Sequence, residues 1–203
     1  MSQLKLTADG GGGTVAIKGP ANTTGNAALE LTVPGTASGT ILTSNSSVGK
    51  ILQVQQTVGT GTYSTDSQTY ADVITCAITP ASTSNKIICM YKIGLSTSNG
   101  GYSGAARLVR DSTAIYVGAA DGSRIQASSH FVADSDGIGQ VKIHDQAGTF
   151  MDSPSTTSAI TYRLQFRSDY SGTYVYAGRS VQDTDYTYRG RVPTSLLLME
   201  VAA

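Results

Sequence analysis

The chain has 203 residues, no Trp, and a formal net charge of zero, with 14 Lys plus Arg against 14 Asp plus Glu. That balance excludes the basic stripe of a nucleic-acid-binding domain, the polybasic patch of a membrane-surface anchor and an acidic tail. Charged residues make up only 14%, against about 25% in an average soluble domain, and 24 Ser with 26 Thr supply the missing polarity. Leu occurs twelve times and Glu twice (Glu30 and Glu200), so strong helix formers are scarce while Thr, Val, Ile and Tyr are common. This composition predicts an all-β protein.

Residues 1–62 hold eleven Gly, including Gly10 to Gly13, and no aromatic residue. Short apolar patches recur there: Leu4 and Leu6, Val15 and Ile17, Leu29 with Leu31 and Val33, then Ile41 and Leu42. Turn formers such as Asn22-Thr23-Thr24-Gly25 and Pro34-Gly35 separate them, which predicts short strands and turns. Such strands bury little area each, at about 25 cal/mol per Å², against an ordering cost of ~1–2 kcal/mol per residue. The segment therefore either stays disordered or packs against identical segments of other subunits. The regular recurrence of the patches favours intertwining. The N-terminus lacks the apolar core of a signal peptide, so an origin in the cytoplasm without a visible export signal is expected. No apolar run approaches the ~20 residues of a membrane span, so no membrane insertion is expected.

All 14 aromatic residues lie between Tyr63 and Tyr188. There, strand and turn signals alternate at about ten-residue intervals, as in a sandwich or barrel. The turn cluster Pro80 to Asn85 predicts a hairpin over residues 70–93, pairing Ile74 with Tyr91, Cys76 with Cys89, and Ile78 with Ile87 on one apolar face. Cys76 and Cys89 are then expected as buried free thiols, since two cysteines make neither a disulfide framework nor a zinc site. A second hairpin is predicted from Ala106 to Val117 around Asp111-Ser112. Ile125 to Val132 and Gly139 to Ile143 give weaker strand signals. Tyr162, Leu164 and Phe166 alternate with Arg163, Gln165 and Arg167, which marks a half-buried strand. Tyr174 to Tyr176 is another strand, and Ser195 to Val201 is a terminal strand expected to be tied into a sheet. No amphipathic helix is evident.

The stretch from Leu4 to Pro20, with its Gly10 to Gly13 run, resembles the N-terminal region of fibre and tail proteins from tailed phages of marine bacteria. So does Leu29 to Leu42 with Pro34-Gly35-Thr36. Gly49 to Val54 looks like the junction to a distal domain in those proteins. Ile78-Thr79-Pro80 with Ser84 to Ile87, Asp152-Ser153-Pro154 before Tyr162, and Leu198 to Val201 look like their β-sandwich. The resemblance implies a homotrimeric virion fibre. Its residues 1–50 would form a Gly-rich attachment arm binding other virion proteins. Its residues 51–203 would form a jelly-roll-like head, similar to the trimeric C1q and tumour-necrosis-factor domains, for host-surface recognition. A capsid decoration or head-fibre protein is the alternative within that class. A β-sandwich lectin and a polysaccharide depolymerase are the alternatives outside it.

Enzyme chemistry finds little support in the residues. Ser129-His130 and His144-Asp145 involve the two histidines, but triad geometry is spatial and such neighbours arise by chance. The Gly10 to Gly13 run lacks the Lys and the helix of a phosphate-binding loop. Asp134-Ser135-Asp136-Gly137 and Asp183-Thr184-Asp185 read as polar turns, because neither continues into a full calcium loop. No catalytic residue, metal site or cofactor is assigned. The strongest candidate surface is Tyr-rich. Tyr170, Tyr174, Tyr176, Tyr186 and Tyr188 are interspersed with Arg179, Arg189, Arg191 and several aspartates. Tyrosine supplies a flat apolar face with a hydroxyl at low entropy cost, and Arg and Asp add directional hydrogen bonds. These eight Tyr and Arg residues are the candidate receptor or glycan contacts. The competing reading packs the tyrosines in a trimer core.

Overall fold

The computed structural model describes residues 3–7, 14–18, 50–135 and 141–203. The Gly10 to Gly13 run, the patches from Leu29 to Leu42 and the turn residues Asp136 and Gly137 lie outside them. The chain divides into two compact units, residues 1–42 and 43–203. In the first, β1 (Gln3–Thr7) and β2 (Thr14–Lys18) form an antiparallel pair, with Leu4 opposite Ile17 and Leu6 opposite Val15.

The second unit holds two antiparallel sheets, and no helix occurs among the described residues. The first sheet contains β3 (Ile51–Gly59), β13 (Thr194–Val201), β6 (Lys86–Thr97), β12 (Val175–Ala177) and β4 (Tyr63–Thr65) in that order, and β10 (His144–Asp152) lies along the other side of β6. The second sheet runs β5 (Ala71–Ile78), β11 (Ile160–Ser168), β7 (Ser103–Arg110) and β8 (Thr113–Ile115), with β9 (Ser129–Val132) also on β7. The protein is thus all-β, built on curled antiparallel sheets as a β-sandwich. Alternation places Ile87, Cys89, Tyr91, Ile93 and Leu95 of β6, and Leu196 and Leu198 of β13, against Tyr162, Leu164 and Phe166 of β11 and Leu108 of β7. Each fully buried side chain of this kind contributes about 1.5–3 kcal/mol.

The expected half-buried strand, the terminal strand and the hairpin around Asp111-Ser112 all appear. The hairpin over 70–93 does not form. β5 pairs with β11, placing Cys76 opposite Tyr162, whereas β6 belongs to the other sheet. The Pro80 to Asn85 segment crosses from one layer to the other. The six apolar residues consequently meet across the core, where two-residue alternation looks the same as it does across a ladder. Cys76 and Cys89 are buried and unpaired, and burial, with the charge of Asp152 adding to it, pushes the Cys89 thiol well up. The strand signal at Gly139 to Ile143 is displaced: residues 139 and 140 lie outside the described set, and the strand starts at His144. From Ile125 to Val132, only Ser129–Val132 is strand.

Two carboxylates lock this arrangement. Glu200 of β13 is fully buried. It accepts hydrogen bonds from Gln53 Nε2 (2.6 Å) on β3, and from Asn85 Nδ2 (2.6 Å) and Ala81 N (2.7 Å) on the crossing segment. Burial opposes its ionisation, but these three donors outweigh it and hold the carboxyl below its ordinary value of 4.5. Asp152 of β10 receives the Tyr162 hydroxyl at 2.7 Å and Arg110 Nη1 at 2.9 Å, which joins the two sheets. Because the folded pKa of Glu200 is depressed, its stabilisation is complete above the unfolded value and is lost as pH falls through the folded one. Glu200→Gln turns an amide NH2 toward at least one of these donors. It should lower urea-measured stability at neutral pH by about 1.5–3 kcal/mol and flatten the acid limb that the unaltered protein shows below that value.

Candidate functional site

β12 and β13 lie on one line along β6: β12 pairs with Thr97 to Leu95, and β13 pairs with Lys92 to Lys86. The chain leaves that line at Gly178 and returns at Thr194, so residues 178–193 form an excursion from the sheet. Backbone hydrogen bonds pinch its base, from Gly178 N to Gly94 O (2.9 Å) and from Val192 N to Gly178 O (3.0 Å). Arg179 and Arg191 form an antiparallel bridge just beyond. The Ser96 hydroxyl donates to Arg179 O at 2.9 Å and holds the excursion on the outer face of the first sheet. Gly94 has no side chain because Val192 and Ile143 occupy that space. A Cβ there would stand 2.4 Å from Val192 Cγ2 and 2.7 Å from Ile143 Cγ2.

The eight candidate residues fall into three groups. Tyr170 packs edge-on against Tyr102, with ring centroids 4.7 Å apart. Tyr174 and Tyr176 stack at 6.0 Å, and the Arg179 guanidinium lies 4.0 Å from the Tyr176 ring centroid. On the excursion, Tyr186 and Tyr188 stack at 5.5 Å with Arg189 over both rings, 4.5 and 5.4 Å away. Arg191 grips Asp183 with Nε (2.9 Å) and Nη2 (2.7 Å). Tyr186, Arg189, Arg191 and Asp183 line a groove of about 460 Å³ with Thr184 and Asp185, and Tyr188 stands outside its lining. Tyr186 is 57% and Tyr188 60% exposed, so neither packs in the core of its own subunit. The groove offers the Tyr186 ring, a guanidinium plane and the Asp185 carboxylate, which makes no hydrogen bond or ion pair among the described residues. Arg189 Nε is a buried donor without a partner. Such a surface suits a polyhydroxylated ligand.

Tyr102 carries no sequence signal, because it is 68 residues from the ring it touches. The histidines stand in strands. His130 Nε2 lies 2.7 Å from Asp169 Oδ2, and His144 stacks on Phe131 at 5.0 Å. Ser129 Oγ, which a triad would need on that imidazole, has no hydrogen-bond partner. Asp134 pairs with Lys142 at 2.7 Å. Among the described residues, no group of three metal-ligating side chains occurs, and no helix is long and apolar enough to cross a membrane.

A second surface has no counterpart in the sequence reading. The outward positions of four strands make cross-strand rows: Met151, Ile88, Met199, Val54, and beside it Thr149, Met90, Leu197, Gln56. Met151 is 57%, Val54 53% and Met90 40% exposed. The charges next to these rows are Lys92, paired with Asp145 at 3.1 Å, and Lys86, whose Nζ donates to Ser153 Oγ at 2.9 Å. The outer face of the second sheet is the opposite in character. It presents Arg107, Arg163, Gln165 and Arg167, with Asp72 taking hydrogen bonds from Arg163 and Gln165.

The hydrogen bond to Arg191 holds the Asp183 carboxyl below its ordinary value of 3.8. An NMR titration should therefore place the Asp183 midpoint below that of an unpaired aspartate, and Arg191→Ala should bring it back while amide exchange in residues 183–191 accelerates. A search of curated proteins finds no match to this chain, and no protein-family model matches it.

Proposed function

We propose that this protein is a structural component of a tailed-phage virion, a homotrimeric fibre that presents its β-sandwich for host-surface recognition. The observation that carries assembly is the uncharged aliphatic face of the first sheet. Monomeric soluble proteins rarely leave a contiguous apolar patch of more than a few hundred Å² open to water. Met, Leu, Ile and Val in adjacent cross-strand rows favour burial against another copy. The threefold order and the virion setting follow from the resemblance described above. The same resemblance supports a Gly-rich attachment arm in residues 1–50, bound to another virion protein, and a jelly-roll-like head. The chain crosses between the layers from β4 to β7 and again from β9 to β12, which is compatible with that head.

In this reading the aliphatic face lies inside the trimer, and the Tyr-Arg excursion, with Tyr170, Tyr174 and Tyr176, points to the host surface. Tyr186, Tyr188 and Arg189 would stack on the apolar faces of sugar rings, and Asp185 would accept hydrogen bonds from their hydroxyls. Three weak sites per trimer, repeated over a particle, give avidity without strong single contacts.

Native mass by light scattering tests the assembly. A mass near three subunits is expected, and Met90→Glu with Leu197→Glu should reduce it to one subunit while the far-ultraviolet circular dichroism stays that of a β protein. A monomeric mass for the unaltered chain would overturn the fibre. On particles, a copy number in the tens would fit a tail position, whereas hundreds would place the protein on the shell.

A further inference from the structure

A strand at the rim of a sheet presents unpaired backbone N–H and C=O groups, and proteins blunt such edges by shortness, charge, proline or a bulge. Most edges of the second unit carry one of these devices. β4 and β8 have three residues each, and β9 has four. β5 carries Asp72 and a register shift that leaves Val73 without a partner on β11. β10 carries His144, Asp145 and Asp152. β3 is the exception. Among the described residues it pairs only with β13. Past an irregularity at Leu52, its ladder runs unbroken from Gln53 opposite Glu200 to Gly59 opposite Thr194, and that run holds no charge and no proline. Gly59 lies against Ile74 of β5, but no ladder joins those two strands. Val54 and Val58 are each 53% exposed, and Gln55 and Gln56 are exposed between them.

This run is chemically symmetric about Gln56. Laid antiparallel against itself, it sets Val54 opposite Val58 of the second copy, Gln55 opposite Thr57, and Gln56 opposite its own counterpart. Cross-strand pairs of β-branched residues stabilise a sheet. A glutamine amide both donates and accepts, so two of them meet as partners. Val54 and Val58 share the outer face with Met199 and Ser195, their neighbours on β13. Self-pairing would therefore carry the apolar row of Met151, Ile88, Met199 and Val54 on to Val58 of the second copy. A charged strand would find no counter-charge on this run, whereas its own sequence matches it position by position.

We propose that β3 pairs edge to edge with β3 of a second copy, antiparallel about Gln56, so that main-chain hydrogen bonds continue the first sheet across a twofold axis. The contact is isologous, with the same surface on both partners, and it is a strand addition of the kind that exposed sheet edges support. It uses the rim of the first sheet, not the face that Met90 and Leu197 line. It does not depend on the fibre reading: it links one trimer to another if that face assembles by threes, and one chain to another if it does not.

Sedimentation of the full-length chain from micromolar to millimolar concentration tests this. The mass should rise above its dilute value. Gln55→Lys should move that rise to about tenfold higher concentration, because two lysines then meet at diagonal cross-strand positions. Gln55 lies on the Leu198 side of the sheet, away from the aliphatic rows, so the dilute mass should stay the same. In the Met90→Glu, Leu197→Glu protein the rise should end at two subunits. The register is read by disulfides: Gln55→Cys mixed with Thr57→Cys should link in a glutathione redox buffer faster than either variant alone, since directly opposed residues are within disulfide reach. A dilute mass of one subunit that doubles on concentration would support the edge contact while removing the trimer. A mass independent of concentration, a rise that Gln55→Lys leaves in place, or mixed cysteines that link no faster than each alone would each overturn the proposal.

Discussion

The sandwich hangs on Glu200, a carboxylate with no exposed surface whose oxygens take three donors. Those donors come from an edge strand and from the segment that carries the chain from the second sheet to the first. An ionised carboxylate without such partners would be excluded from an apolar interior by its desolvation cost. With them, the C-terminal strand, the edge strand and the crossing segment close around one charge. Asp152 plays the matching part on the other side of Ile87, whose cross-strand neighbours are Glu200 and Asp152. It takes the hydroxyl of Tyr162 and the guanidinium of Arg110, both from the opposite sheet. The two carboxylates are thereby occupied in holding layers together.

This closure leaves the two outer faces free to differ. The outer positions of β11 and β7 carry arginines and a glutamine that pair among themselves and with Asp72, and Tyr70 stacks on Arg107 at 4.0 Å. That face is complete in water. The outer rows of β3, β13, β6 and β10 carry Met151, Ile88, Met199, Val54, Met90 and Leu197, which gain nothing from water, with Thr149 and Gln56 at the ends of one row. A sheet whose two faces are both apolar has the character of a buried layer. The asymmetry between the faces supports assembly through the first one.

Pairing along β6 also shapes the surface. A single strand line is shared by β12 and β13, and the chain between them leaves the sheet as a pinched loop rich in tyrosine and arginine. The loop is ordered by stacking and by the Asp183–Arg191 pair, with little apolar burial behind it. Elements of that kind are stable enough to present a surface and loose enough to adapt to a ligand.

Much of this protein is legible in its residues alone. Scarce Glu and Leu with abundant Thr, Val and Tyr specify strands. The alternation at Tyr162, Leu164 and Phe166 names a buried face, and Asp111-Ser112 marks a tight hairpin. These signals are local consequences of backbone geometry, and two-residue alternation states which way a side chain points. It does not state which strand lies beside it. That β5 and β6 belong to different sheets, that Glu200 meets Gln53 across 147 positions, and that an aliphatic face stays open were decided by tertiary pairing. β10 gives a weak sequence signal because its inward positions include Gln146, Gly148 and Phe150, a poor apolar pattern. Gly148 is suited to that strand only because the Tyr91 ring lies across it, a fact that resides in the packing and not in the sequence.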